Sequence, residues 1–133
     1  MADKYYVLPE YSAILSVVDA IFHHLNHGLL IYHLENPDRD DSLRLIYANQ
    51  QASRYTGTDL QNRVGKPILQ AFPGLAKGTL VADYAAVART NRSRELGRVE
   101  YVDGGIEPSS YTVKAFPMPG LCVGVLFESS DPR

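Results

Sequence analysis

The sequence predicts an α+β fold: five β-strands, small helices between the second and third of them, and an amphipathic helix in front. Three observations carry that expectation. The stretch from Leu43 to Gly57 passes from an alternating apolar run (Leu43, Leu45, Tyr47) to a three- and four-residue recurrence (Ala52, Tyr55, Thr56), so strand gives way to helix at Asn49. Residues 9–26 place Tyr11, Ile14, Val18, Ile21, Phe22 and Leu25 on one helical stripe. The last third consists of apolar runs separated by the turn residues Asp103-Gly104-Gly105 and Pro119-Gly120.

Composition bounds the class of molecule. With 45% hydrophobic residues, 133 residues suffice for one core. A net charge of −2 argues against a nucleic-acid surface, which needs a clear excess of Lys and Arg on one face. The single cysteine cannot form an intrachain disulfide and suits a reducing compartment, so the cytoplasm is expected. The longest apolar runs fall well short of the about 20 residues that span a bilayer, so no membrane contact is expected for this segment.

Taken in order, the first helix is expected over Pro9 to Asn26, with Gly28 available for the turn that follows. His23 and His27 share its face four residues apart, but no third ligand stands nearby, and the histidines at this helix end suit its dipole better than a metal. Leu29–Leu34 and Leu43–Ala48 form a hairpin. Its tip, Glu35 to Asp41, holds four acids against one arginine and lacks the ligand alternation of a calcium loop. Asn49 caps the next helix, because its side-chain oxygen accepts a backbone N–H that the first turn leaves unpaired. Thr58 or Asp59 caps a following turn, and Pro67 and Pro73 bound a short helical piece over Ile68–Phe72. Leu80, Tyr84, Val87 and Ala88 form the apolar face of a longer helix that starts at a Thr79 cap and runs to about Thr90. Arg89, Arg92, Arg94 and Arg98 around Glu95 read as a solvated turn. Strands are expected over Gly97–Val102, Ser110–Phe116 and Leu121–Phe127, with Cys122 a small buried hydrophobe in the last.

The segment Leu45-Ile-Tyr-Ala-Asn49 with Ala52, Tyr55, Thr56 and Gly57, then Val64-Gly65-Lys66-Pro67 and Phe72-Pro73, resembles the second strand, capped helix, glycine turn and following helix of the PAS sensory family. The resemblance covers residues 28–128, leaving 1–27 as an N-terminal amphipathic cap helix and 129–133 as the start of a C-terminal linker. It implies a five-stranded antiparallel sheet of order 2-1-5-4-3 cupping the small helices, with a pocket between them. On that resemblance Leu45, Tyr47, Tyr55, Ile68, Phe72, Tyr84, Tyr111, Val113 and Ala115 face the pocket, and Asn49 is a structural cap. Nine tyrosines either orient a small ligand through their hydroxyls or simply fill the core.

Departures from the family narrow the cofactor. Where light-oxygen-voltage members carry the cysteine that attacks flavin, this chain has Ile68; where they offer a glutamine to the ring, Gly124-Val-Leu126 is apolar. Haem-binding members use a histidine on the long helix, and Gly78–Asn91 holds none. Flavin-cysteinyl photochemistry and haem are therefore not expected, and the ligand is not identified. Asp131-Pro132 could open an output helix. The resemblance thus implies a sensory module of a signal-transduction protein of the two-component kind, without enzymatic activity, that binds a small ligand, dimerises through its N-terminal helix, or both. Its output domain, a kinase, cyclase or regulator, would lie outside this chain. Two other readings stay open: a ligand-free interaction scaffold, and a small α+β enzyme using a tyrosine or His33 as acid and base, for which Glu100 is the one carboxylate within a strand pattern.

Overall fold

The computed structural model describes residues 11–22 and 24–129. Helix α1 (Tyr11–Phe22) precedes a hairpin of β1 (Gly28–Leu34) and β2 (Leu43–Ala48). Helices α2 (Gln50–Thr56), α3 (Ile68–Ala71) and α4 (Leu80–Thr90) lead to a meander of β3 (Arg94–Asp103), β4 (Ile106–Met118) and β5 (Cys122–Ser129). All strand pairs are antiparallel, and the sheet order is β2-β1-β5-β4-β3, as expected. Residues 1–10, where the first helix was expected to begin, and His23 lie outside the described residues. Past Phe22 the amides of His24 and Leu25 bond three residues back, to Ile21 and Phe22, so the chain tightens into a turn before reaching Asn26.

Strand β1 is buried on both sides, which explains its nearly unbroken apolar sequence. Leu30, Tyr32 and Leu34 face the core under α2 to α4. Leu29 and Ile31 face the other way, into a second cluster with Leu15 of α1, Ile46, Tyr47 and Cys122. The glycine at the start of β1 is required by packing, because a Cβ on Gly28 would lie 2.6 Å from the Phe127 ring that crosses it.

Strand β2 departs from simple alternation. Ile31 pairs with Tyr47 and Tyr32 with Leu45, leaving Ile46 as the extra residue of a β-bulge. One inserted residue exchanges the faces of everything after it. Tyr47 therefore does not continue the Leu43 and Leu45 face toward the helices. It turns to the outer cluster, where its hydroxyl donates to Asp19 Oδ1 of α1 at 2.7 Å.

Asn49 occupies the junction of β2 and α2 and is buried. Its Oδ1 accepts from Ala52 N–H at 2.8 Å, the helix cap, and from Leu29 N–H at 3.0 Å, while Nδ2 donates to His27 O at 3.1 Å. Gly57, at φ 74°, ends the helix in the left-handed conformation. Asp59 caps the next turn through Gln61 N–H at 3.0 Å. Thr79 stands at the expected cap position of α4, but its hydroxyl donates to Asp83 Oδ2 at 3.0 Å instead of accepting a backbone N–H. The arginines expected in a solvated turn stand apart: Arg89 lies in α4 and reaches Asp40 of the hairpin tip at 2.6 Å, Arg94 opens β3 and pairs with Asp83 at 2.8 Å, Arg98 lies within β3, and Arg92 stands in the connection between α4 and β3.

Replacing Asn49 by Ala removes the cap and leaves the buried Leu29 amide unpaired, so we expect a loss of about 2–4 kcal/mol. Asn49→Ser keeps the Ala52 cap alone and should lose about half as much. Urea unfolding of the two variants measures both, and a loss below about 1 kcal/mol for Asn49→Ala would contradict the tie between strand and helix.

Candidate functional site

A cavity of about 60 Å³ lies between the inner face of the sheet and the helices. Leu30 and Tyr32 of β1, Val125 and Phe127 of β5, and Tyr111 and Val113 of β4 form its floor. Val99 and Tyr101 of β3 with Ile106 close one side. Thr56, Phe72, Leu75, Leu80 and Tyr84 form the helical wall. Aromatic rings brace it: Tyr32 stacks on Tyr84 at 5.7 Å, Tyr111 meets Phe127 edge-on at 5.4 Å, and Phe72 meets Tyr101 edge-on at 6.0 Å.

Most polar groups of the lining are spent on the protein itself. Thr56 Oγ1 donates to Ala52 O at 3.0 Å, and the Tyr111 hydroxyl to Tyr55 O at 3.3 Å. Tyr101 belongs to a polar latch. Its hydroxyl donates to Asp103 Oδ2 at 2.5 Å and accepts from Gly74 N–H at 3.2 Å. Arg63 holds the same carboxylate at 2.8 Å, donates to Ala71 O at 2.8 Å, and lies 5.5 Å from the Phe72 ring centre. The latch fastens the β3–β4 turn to the segment that carries α3, and a Cβ on Gly74 would collide with Val102 O. Tyr32 differs: its hydroxyl is fully buried and has no hydrogen-bond partner among the described residues.

Burial sets the protonation states. It raises the phenol of Tyr32 well above its ordinary value, reinforced by Tyr84 and Tyr101 nearby. Tyr84 is raised by burial and by Asp83, and Tyr101 by burial and its bond to Asp103. All three are neutral donors at physiological pH. For Asp103 burial acts upward, but the hydrogen bonds from Arg63, Tyr101 and Gly105 N–H and the Arg63 charge outweigh it and hold the carboxyl at about 2.

Solved structures share this arrangement. A domain of the sensory box sensor histidine kinase/response regulator from Geobacter sulfurreducens matches 87% of this chain with 94% of its own, at 12% identity and a TM-score of 0.65. The PAS domain of a protein from Colwellia psychrerythraea matches 90% of this chain with 99% of its own, at 12% identity and a TM-score of 0.66. The chain has the PAS fold. The Rhodobacter sphaeroides LOV protein is similar as well, at 15% identity and a TM-score of 0.66 over 87% of this chain and 66% of that one. No family model and no curated protein matches the sequence.

Within this PAS fold the structure brings together part of the expected pocket. Phe72, Tyr84, Tyr111 and Val113 line the cavity. Leu45, Ile68 and Ala115 are fully buried in the same core but stand behind the lining. Tyr55 sits at the rim, its ring 6.1 Å from Phe127 and its hydroxyl donating to Asn26 O at 2.5 Å. Tyr47 is excluded, because the bulge turns it to the opposite face. Sequence reasoning missed Tyr32 and Tyr101. Tyr32 alternates with Leu30 and Leu34, a signal that names a face only once α1 is known to cover the other one. His33, next to it, falls on the side of Leu29 and Ile31, away from the cavity. A flavin or haem does not fit a space this small, since cofactor and drug-sized pockets run to about 300–1,000 Å³. The expected stripe divides: on α1 Val18 and Phe22 pack on the sheet whereas Ile14 and Ile21 are exposed with Val17, and Leu25, also exposed, lies in the turn beyond the helix. Tyr11 begins the helix.

A carboxyl held below its unfolded value of 3.8 adds stability above that pH and loses it as pH falls toward 2. We expect urea unfolding between pH 5 and 2 to show about 2 kcal/mol disappearing with protonation of Asp103. Asp103→Asn should be less stable than the wild type at pH 7 by about that amount and should lack this part of the acid-side decline. An unchanged acid-side decline in the variant would remove the latch from the account.

Proposed function

We propose that this chain is a sensory module of a cytoplasmic signalling protein, responding to a small molecule in the cavity and passing the response to an output domain elsewhere. The observation that carries this reading is the Tyr32 hydroxyl, buried beside an apolar cavity without a hydrogen-bond partner among the described residues. A polar group costs free energy in that position unless something it can bond shares the space. Strand β1 supplies the route outward. Tyr32 faces the cavity, while the adjacent Ile31 faces the cluster that docks α1, where Tyr47 is tied to Asp19. A ligand that favours one position of Tyr32 over another shifts the populations of docked and displaced α1.

The same reading gives the module itself no catalytic role. What supports it is that burial keeps the phenols of Tyr32 and Tyr84 protonated, so they serve as hydrogen-bond donors rather than bases. No helix among the described residues is long and apolar enough to cross a membrane.

Dimerisation through α1 completes the proposal. With Val18 and Phe22 engaged on the sheet, Val17 is 59% exposed and Ile21 53%, flanked by exposed Ile14 and Leu25. Ile14, Val17 and Ile21 follow one another on α1 at three and four residues, the spacing of a two-helix seam, which a second copy of α1 would cover.

Native mass spectrometry of freshly purified protein tests the sensory reading: a retained small molecule that a denaturing spectrum releases is expected, and protein mass alone would favour a ligand-free interaction scaffold. For the dimer, light scattering should give twice the chain mass for the wild type and one chain mass for Val17→Asp with Ile21→Asp, at unchanged circular dichroism. A wild type that stays monomeric at several hundred micromolar would refute it.

A further inference from the structure

The two edges of the sheet differ. Strand β2 is closed on its outer side by the chain ahead of α3, where Leu45 N–H donates to Lys66 O at 3.0 Å and Gly65 N–H donates to Leu45 O at 2.7 Å. Strand β3 ends the sheet, and among the described residues it makes no backbone–backbone hydrogen bond to any element but β4. An edge of this kind presents a row of unused N–H and C=O groups to any extended chain that fits it. The register of β3 on β4 shifts between Glu95 and Gly97 and again between Tyr101 and Asp103, and it runs unbroken over Gly97–Tyr101. Beyond that stretch Gly74 packs so closely on Val102 O that it leaves no room for a Cβ. The regular, open part of the edge is therefore Gly97–Tyr101.

Grooves flank this part on both faces of the sheet. Val99 and Tyr101 face the helices and, with Leu75 and Leu80, line a groove of about 390 Å³. On the other side Glu100 and Val102, with Pro108 and Ser110, line a groove of about 280 Å³. Val102 is 51% exposed. A strand laid on the edge sends alternate side chains to the two faces, so its successive residues enter the two grooves in turn. The outer face also sets a charge order. Arg98 and Glu100 are exposed, and neither forms an ion pair with another described residue; Arg98 donates to Ser110 Oγ at 3.0 Å. One charge of each sign, two residues apart on one face, attracts a strand of complementary order and repels one of the opposite order.

The geometry points to β3 as the docking edge for a short extended segment of a partner protein, added antiparallel, whose residues run base, apolar residue, acid from N to C. The base lies opposite Glu100, the apolar residue opposite Val99 on the side of the helix-lined groove, and the acid opposite Arg98. Antiparallel addition continues the pattern of every pair in the sheet and is the more stable per residue. A second copy of the chain carries the same charges on its own β3, but that strand is ten residues long and would have to pass the Gly74 segment at Val102. A short free segment stops before it.

Two peptides of one composition test this: acetylated and amidated Ser-Thr-Lys-Val-Glu-Thr-Ser, and its charge-swapped form Ser-Thr-Glu-Val-Lys-Thr-Ser. Each is titrated into the whole isotope-labelled chain and followed by NMR. We expect the first to shift the amides of Gly97–Tyr101 and to bind about tenfold tighter than the second, since two attractive cross-strand charge pairs replace two repulsive ones. In the double variant Arg98→Glu with Glu100→Arg the preference should reverse, at unchanged circular dichroism. Equal binding of the two peptides, a preference that the double variant does not reverse, shifts confined to other parts of the chain, or no shift with either peptide at about 1 mM overturns the inference. Light scattering of Arg98→Glu separates the other occupant. Its mass should equal that of the wild type, and a lower mass would assign the edge to a second copy and overturn the partner segment.

Discussion

The bonding of one buried amide decides how the halves of this molecule meet. Asn49 sits where the chain leaves the sheet, and its side chain answers backbone groups of β1 and α2 at once. A serine or aspartate could cap the helix, but a carboxamide, with its acceptor and its donor on two separate atoms, also accepts from Leu29 N–H and donates to His27 O at the start of β1. This fixes the angle at which α2 leaves the sheet. The following helices are thereby folded back across the inner face, and the cavity lies between them and the sheet. The cap is a local device with a long-range result, because every wall of the cavity on the helical side follows it in the chain.

Strand β1 is the second organising element, since it is the wall between two hydrophobic clusters. Displacement of Tyr32 on one side cannot be absorbed without moving Ile31 on the other, because both faces are packed and a strand alternates rigidly. The opposite side of the cavity is built differently. There the edge strand β3 is mostly exposed and is held to the helical segment by Arg63, Asp103 and Tyr101. One wall is therefore fixed by packing and the other by a polar latch.

Much of the fold was legible in the sequence, and the failures have physical causes. Asn49 and the helices that follow it could be read because a cap, a left-handed glycine and bounding prolines are local signals. The bulge in β2 could not. Leu45, Ile46 and Tyr47 are all apolar, so inserting one residue left no break in the pattern, and Tyr47 was assigned to the wrong face. Helix α1 posed the same difficulty: Ile14, Leu15, Val17, Val18, Ile21 and Phe22 fill two adjoining stripes beside the polar Ser12, Ser16 and Asp19, and the sequence does not say which apolar stripe meets the sheet. The latch joins residues 40 apart in the chain, a distance over which no periodicity carries information. Thr79 looked like a cap, but a carboxylate one turn away competes better for its hydroxyl than a backbone amide does.

Cys122 is the only cysteine of the chain, fully buried in the outer cluster that includes Leu15 of α1. A thiol buried in that cluster is screened from reagents and reacts only in the fraction of time that the packing around it opens. The protein thus carries a built-in gauge of its own conformational equilibrium: the rate at which a thiol reagent consumes Cys122 meters how often the outer face opens, with no label introduced and no side chain changed.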